Sequence, residues 1–539
     1  MSEIANNETV KAIIQDIEKR VQDKILEPTN AELLKKLISN AESLNEAISI
    51  AELGTSYKRT GLHFDKRLEK MSNDIRYFKK NEKLSFHTDD TKPVNKLIIG
   101  ENYEALQNLL IQYRGMIDVI YIDPPYGKDS MGQFADTNYE NAVTRDNLLS
   151  MLYPRLILAK QLLSSDGVIF CSIDDRNQAY VKCLFDEVFG EKSYSGMILW
   201  QKKQKPSYLS QNFATIFEYV LCYVKNTSET FPFTLEHTTK GKKWPINNAG
   251  NTRQKIKFPA NRVSFNLPDC VVKAQNMSEG NIVTYLENDV EIKNGKNANE
   301  FILDGEWRYS QEKMDEIFSG NDEIYIARLP FRPNHIKAGG EIKKMKNFLA
   351  KKELAKDAYD CETNEDGSNV LNSVNIQFKN PKPVGLIELL IKSTTYEKPN
   401  AIILDFFAGS GTTGHAVLDL NKLDDNKTFI LCTNNEKNEL NPNGIAIDVT
   451  TKRLKRVMTG ECYDGSKDFK WAQENEPYGG NLDVYEIDSV SNFESSKDKT
   501  PFDVIDETLY GENKFQTLQE KVEWVCRNFR NTQKVLEEK

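Results

Sequence analysis

The sequence predicts an α/β protein with a parallel-stranded core, split by an inserted domain and preceded by a helical segment. Three observations predict it. β-branched apolar runs alternate with helical patterns from residue 96 onward. The same alternation returns at 382–432. The stretch 201–375 between them largely loses it.

Residues 1–80 carry helical spacing: Val10, Ile13, Ile14, Ile17 and Val21, then Leu33, Leu34, Leu37 and Ile38. They read as a small helical N-terminal domain used for packing or dimerisation. Lys96 to Gly100 is a short strand, followed by a helix with Leu106, Leu109 and Leu110. Ile117 to Ile122 is a β-branched strand ending at Asp123. Asn147 to Leu163 is an amphipathic helix closed by a turn at Ser164 to Gly167. A buried strand (Val168 to Ile173), a helix (Val181 to Val188) stopped by Gly190, and strands at Met197 to Trp200 and Tyr219 to Val224 follow. The insert is rich in Asn, Lys, Gly and Pro, with short strand-like pieces. After it come a helix (Lys382 to Ile391), a strand (Ala401 to Asp405), a helix (Gly414 to Leu420) and a strand (Thr428 to Cys432).

Composition bounds the function. With 39% hydrophobic and 28% charged residues, the chain can build real cores, and its 539 residues suit roughly two to four domains. The opening MSEIANNETV lacks a signal-peptide pattern, and no apolar run nears the ~18 residues of a membrane span, so a cytoplasmic protein without membrane contact is expected. The eight cysteines form no C-x-x-C pair and the five histidines no ligand spacing, so no metal site is expected. Asp174 and Asp175 end a strand and read as structural. His415 reads as an ordinary helix residue.

Two motifs carry chemistry. The first is Asp123-Pro124-Pro125-Tyr126, directly after a hydrophobic strand, where loops of a doubly wound sheet bind ligands. An exocyclic base amine is a poor nucleophile because its lone pair is delocalised into the ring. The Asp123 carboxylate and Pro124 carbonyl can accept its two hydrogens and favour an sp³-like nitrogen. Pro124 and Pro125 stiffen the loop, and Tyr126 offers a flat face for an extruded base.

The second motif runs from Leu404 through Asp405, Phe406, Phe407, Ala408, Gly409, Ser410, Gly411, Thr412 and Thr413, between a strand and a helix. Gly409 and Gly411 let backbone approach a ligand, and a helix N-terminus favours a carboxylate. Asp405 can accept from an amino-acid ammonium, and Thr412 and Thr413 can donate to its carboxylate. The motif is neither G-x-G-x-x-G nor a phosphate loop.

On these motifs the chain resembles the modification (Mod) subunits of type III restriction–modification systems, which are adenine-N6 DNA methyltransferases. The stretches 47–70, 96–110, 117–190 and 479–482 are similar to that family too, and the likeness is weakest in 201–375. The order, Asp-Pro-Pro-Tyr before the glycine motif, is similar to the circularly permuted β group. The resemblance implies a Rossmann-like S-adenosylmethionine-dependent methyltransferase core with an inserted target-recognition domain. The expected division is a helical domain at 1–80, the catalytic half at 81–225, target recognition at 226–375, the cofactor-binding half at 376–470, and a C-terminal appendage for dimer or partner contact at 471–539. It also implies the cofactor S-adenosyl-L-methionine, double-stranded DNA as substrate, a homodimer, and a separate helicase–nuclease restriction subunit.

Further cofactor contacts are expected from Glu101 and Asn102 and, in Asn380-Pro-Lys-Pro383, from Lys382. Thr433, Asn434 and Glu436 lie where a family acid binds ribose, but the pattern departs too far to choose among them. The net charge of −9 first speaks against nucleic acid, yet residues 240–262 hold seven bases and no acid, while 471–539 hold 15 acids against 8 bases. DNA contact is therefore expected from Lys240, Lys242, Lys243, Trp244, Arg253, Lys255 and Lys257, and from Arg332, Lys343 and Lys344 in a second basic run. The rival readings are N4-cytosine methylation and a non-catalytic recognition subunit that guides a nuclease.

Overall fold

The computed structural model describes residues 8–22, 26, 28–53, 74–126, 145–205, 212–237, 241–339, 342–353, 355–423, 425–490 and 500–531. The chain divides into two units, 1–63 and 64–539. In the first, helices Glu8–Gln22, Pro28–Ser39 and Leu44–Leu53 bury Val10, Ile17, Ala31, Ile38 and Ala47 against one another. Their three-to-four-residue spacing gives each helix one apolar face. This unit is shorter than the expected 1–80, because Ile75–Lys80 is a strand of the second unit, antiparallel to Asn481–Val490. The family-like stretch 54–70 lies outside the described residues.

The second unit is built on a large mixed sheet. Its parallel centre runs Asn481–Val490, Val94–Ile99, Thr428–Thr433, Ile402–Asp405, Ile117–Ile122, Leu163–Ile173. Both faces are covered, so its innermost strands Ile402–Asp405 and Ile117–Ile122 are nearly continuous apolar runs. Beyond Leu163–Ile173 the sheet turns antiparallel through Phe217–Val224 and Tyr194–Gln201, so the expected parallel core has a mixed edge. The turn expected at Ser164 to Gly167 is instead the irregular start of a strand. The register shifts between Ile117 and Val119, and a Cβ on Gly167 would lie 2.9 Å from the Ile117 carbonyl oxygen.

The insert forms its own sheets between Lys243 and Ile336, around Phe258, Phe265, Phe301, Trp307 and Phe331. Its strands are two to six residues long, too short for a clear alternating pattern. Phe348–Ala350 and Tyr359–Asp360 then rejoin the main sheet beside Tyr194–Gln201. Separate insert sheets therefore end before the expected limit of 375. The expected appendage also differs. Its strand Asn481–Val490 lies inside the main sheet, between Ile75–Lys80 and Val94–Ile99. Its Leu482, Val484 and Tyr485 are buried, but they do not alternate strictly and interspersed acids hid the pattern. No helix among the described residues is long and apolar enough to cross a membrane.

Candidate active site

The two chemical motifs are brought side by side by one strand pairing. Ile403 pairs with Val119 and Leu404 with Ile120, in parallel. The loops leaving these strands, at Asp405 and Asp123, therefore open into one crevice at the C-terminal edge. The Asp123 charge adds to the upward shift of the Asp405 carboxyl, after the larger effect of burial.

Asp123 sits in a ring of polar groups. Tyr126 donates its hydroxyl hydrogen to Asp123 Oδ1 at 3.0 Å. Lys382 Nζ donates to the same oxygen at 2.9 Å, lies 3.3 Å from the Tyr126 hydroxyl, and reaches Glu218 Oε2 at 3.3 Å. Glu218 also accepts from Lys202 Nζ at 2.7 Å. Enclosure pushes the Asp123 carboxyl above its ordinary value, with Lys382 opposing and Glu218 adding to the shift. Burial also acts to raise Glu218, but Lys382 and Lys202 overcome it and hold Glu218 low. Burial would lower Lys382, yet the two carboxylates raise it. The site thus encloses Asp123 while one ammonium is shared by two acids.

The glycine loop is organised around Asp405. Its Oδ1 accepts from the Phe407 backbone N–H at 2.9 Å and its Oδ2 from the Thr413 hydroxyl at 2.5 Å. Burial pushes this carboxyl up to about 7 despite those two donors. Gly409 and Gly411 have positive φ, 47° and 75°, which a side chain would strain. Phe406 is fully buried beneath the loop, and Ala408 donates its N–H to the Cys432 carbonyl at 3.0 Å. Thr450 donates to the Gly409 carbonyl at 2.6 Å. The threonines differ from expectation. Thr412 donates to the Lys382 carbonyl at 3.1 Å and Thr413 to Asp405, so both hydroxyls serve the loop itself. An acidic group beside a helix N-terminus fits an amino-acid end with both an ammonium and a carboxylate.

Asn102 joins the same crevice, its Nδ2 donating to the Phe406 carbonyl at 2.9 Å. Its Oδ1 accepts from Arg155, which also lies 3.9 Å from Glu101. Gly100 N–H donates to Thr433 O at 3.0 Å, so Glu101, Asn102 and Asn434 share one end of the crevice. Lys382, assigned from sequence to the cofactor, stands on Asp123 with its side chain and touches the glycine loop only through its carbonyl. Asp174 binds Asn177 at the start of helix Gln178–Phe189, and Asp175 accepts from Tyr219.

The sequence reading missed Glu218, Lys202, Thr450 and Arg453. A buried acid opening the strand Phe217–Val224 was the one signal for Glu218. Arg453 sits in an amphipathic helix among three other basic residues, Lys452, Lys455 and Arg456, and nothing in the sequence marks it as the one that is fully buried.

The basic residues fare unevenly. Lys240 lies outside the described residues. Lys242 Nζ sits 4.2 Å from the Trp244 ring centroid and Lys243 Nζ 3.6 Å from that of Tyr325. Lys257 and Lys344 are exposed. Arg253 is paired with Asp304 at 2.9 Å, Lys255 with Glu287 at 2.9 Å and Lys343 with Glu236 at 2.6 Å. Paired strands bring Asp304 and Glu236, and the chain just beyond the next strand over, Thr284–Leu286, brings Glu287, which a one-dimensional charge count does not see. Arg332 is mostly buried and donates to the Met277 and Phe331 carbonyls at 3.0 and 2.8 Å, which suits holding the insert together more than contacting a phosphate.

A sheet of this order, with an acidic loop beside a glycine loop, defines an α/β fold with its crevice at the C-terminal ends of the central parallel strands. The family model described as DNA methylase, covering N6 and N4 methyltransferases, matches residues 117–440, more than half of the chain. The chain belongs to this DNA methylase family. A model described only as an uncharacterised conserved protein matches residues 7–119. The chain is 31% identical over 368 residues to the StyLTI type III restriction-modification Mod subunit of Salmonella typhimurium, covering 63% of this chain and 52% of that one. It is 26% identical to the EcoPI Mod subunit of Escherichia phage P1, covering 81% of this chain and 71% of that one. The chain thus spans about half the length of the StyLTI subunit, 52%. Among solved structures, PvuII DNA methyltransferase (cytosine-N4-specific) covers 63% of this chain and 82% of that one, at 10% identity with a TM-score of 0.30.

Proposed function

We propose that this chain methylates N6 of adenine in duplex DNA, as the modification and recognition subunit of a type III restriction–modification system. The observation that carries this reading is the pairing of Ile403 with Val119 and Leu404 with Ile120, which seats the Asp405 loop against the Asp123 loop. S-adenosylmethionine, when bound, supplies an electrophilic methyl group. Asp405 would take its ammonium, and Gly409 through Thr413 its carboxylate.

The residues around Asp123 do the rest. The Asp123 carboxylate and the Pro124 carbonyl hold the two amine hydrogens and turn the nitrogen lone pair toward the neighbouring loop. Tyr126 stacks the extruded base. Lys382 leaves Asp123 Oδ1 for Glu218, which already binds it. Orientation contributes more than basicity for a neutral amine. The raised pKa of Asp123 suits it to receive the proton the amine sheds. Lys242, Lys243, Trp244, Lys257 and Lys344 are the insert and near-insert groups best placed to meet DNA. The likeness to Mod subunits of type III restriction-modification enzymes supports work beside a separate restriction subunit; a homodimer in the cytoplasm completes the reading.

The test is duplex DNA incubated with isotopically labelled S-adenosylmethionine, then digested to nucleosides. Label in N6-methyladenine, lost in Asp123→Ala, is the expected result. Label in N4-methylcytosine overturns the base. No label, with DNA and cofactor both bound, favours a guiding subunit instead.

A further inference from the structure

Behind the glycine loop lies a cation with no counter-ion among the described residues. Arg453, in helix Lys452–Thr459, is fully buried. Its hydrogen-bond partners are all neutral. Nη1 donates to Thr412 Oγ1 at 2.8 Å, Ser410 O at 3.2 Å and Ser410 Oγ at 3.3 Å. Nε and Nη2 face His415 Nδ1 at 3.3 and 3.2 Å. Burial pulls the guanidinium down to about 9, which leaves it charged at neutral pH.

The far side of this contact is a chain of donors. Burial, and then the Arg453 charge, hold His415 well below its ordinary pKa and therefore neutral. With Nδ1 accepting from Arg453, the ring proton belongs on Nε2, 3.1 Å from the Tyr478 hydroxyl. Tyr478 donates onward to Asp419 Oδ1 at 2.8 Å. Each donor points away from Arg453, so one histidine tautomer is selected and the guanidinium plane is fixed.

A buried charge without an opposite partner is costly. The loop it supports is where an amino-acid carboxylate is expected, and both threonine hydroxyls there are already committed. The backbone N–H groups and the charge behind them remain. We propose that Arg453 is a positioning residue for the carboxylate end of the cofactor. It pins Ser410 and Thr412 and supplies a buried positive potential that only a carboxylate-bearing ligand exploits. The inference rests on reading the glycine loop as the S-adenosylmethionine site.

The test compares two ligands by calorimetry on the full chain. S-adenosylhomocysteine carries the amino-acid end, and 5′-methylthioadenosine lacks it. Arg453→Met should lose about tenfold in affinity for the first and leave the second unchanged, and Arg453→Lys should recover part of the loss. Tyr478→Phe keeps the ring beside His415 and Trp471 and removes only the hydroxyl. It guards against a misfolded arginine variant and should give the same selective loss at about threefold. Equal loss of both ligands would mean a mere loop staple and overturn the proposal, as would no loss. A wild-type protein that binds neither ligand overturns the cofactor reading itself, and this inference with it.

Discussion

Lys382 Nζ lies 2.9 Å from Asp123 Oδ1 and donates to it, so a lysine ammonium occupies the acceptor that the proposed reaction assigns to a base amine. Glu218, 3.3 Å from the same nitrogen, is the second seat. Removing Glu218's charge should trap Lys382 on Asp123. Glu218→Gln is therefore expected to lower kcat roughly tenfold while leaving S-adenosylhomocysteine affinity within about twofold. Single-turnover methylation and equilibrium binding measure the two separately, and equal losses in both would sink the two-seat account.

Lys382→Met should move the pH profile. Asp123 must be ionised to accept an amine hydrogen, and its carboxyl is already raised, with Lys382 the main opposing influence. Without that ammonium its pKa rises further, so activity should be lost at a higher pH as the solution is acidified. The acid limb of kcat against pH reads this directly, and a limb that stays put or moves to lower pH contradicts it.

Asp405 predicts a pH dependence of binding rather than of chemistry. Its carboxyl stands at about 7 in the free protein. The ionised form accepts an ammonium, so a bound ligand should pull the pKa down and release a proton. S-adenosylhomocysteine affinity should be flat above pH 7 and fall by up to about tenfold per pH unit below it. For folding the sign is opposite: a raised carboxyl pKa favours the protonated native form, so this group's contribution declines as pH rises from about 4 toward 7. Calorimetry in buffers of different ionisation enthalpy counts the proton released.

Gly411→Ala tests the loop backbone. At φ 75° an alanine is strained by about 1–2 kcal/mol, and its Cβ would sit 3.2 Å from Thr450 Cγ2. Cofactor affinity should fall while the far-ultraviolet spectrum is unchanged. Undiminished affinity would mean that the loop does not need this conformation to bind.

The basic residues divide into two predicted classes. Lys242→Ala or Lys344→Ala should weaken binding to all duplexes and reduce the salt slope by about one. Arg332→Ala should leave that slope alone and destabilise the insert by about 1–2 kcal/mol, because its guanidinium is spent on two carbonyls. Salt-dependent anisotropy and thermal melts distinguish them.

Both chemical loops could be read from the sequence because each follows an apolar strand and carries residues with few alternative uses. Asp123-Pro124-Pro125-Tyr126 and Asp405 through Thr413 face one crevice, as parallel strands ending in loops require. Side-chain destinations could not be read. Lys382 stands between two prolines and gives no hint of reaching Asp123, 259 positions away in the chain. Arg253 and Lys255 belong to an acid-free stretch, but the strand beside them brings Asp304, and Glu287 lies opposite. His415 seemed an ordinary helix residue because its partner Arg453 comes from another helix. Long-range pairing decided all of these, and a linear pattern carries no record of it.

The seam between Ile402–Asp405 and Ile117–Ile122 also orders events during synthesis. A growing chain delivers the Asp123 strand first, then the whole insert, and only afterwards the strand that completes the crevice. No unfinished polypeptide can possess the finished crevice before it possesses the whole insert. A nascent chain therefore displays the Asp123 loop without its partner loop until the insert has been made.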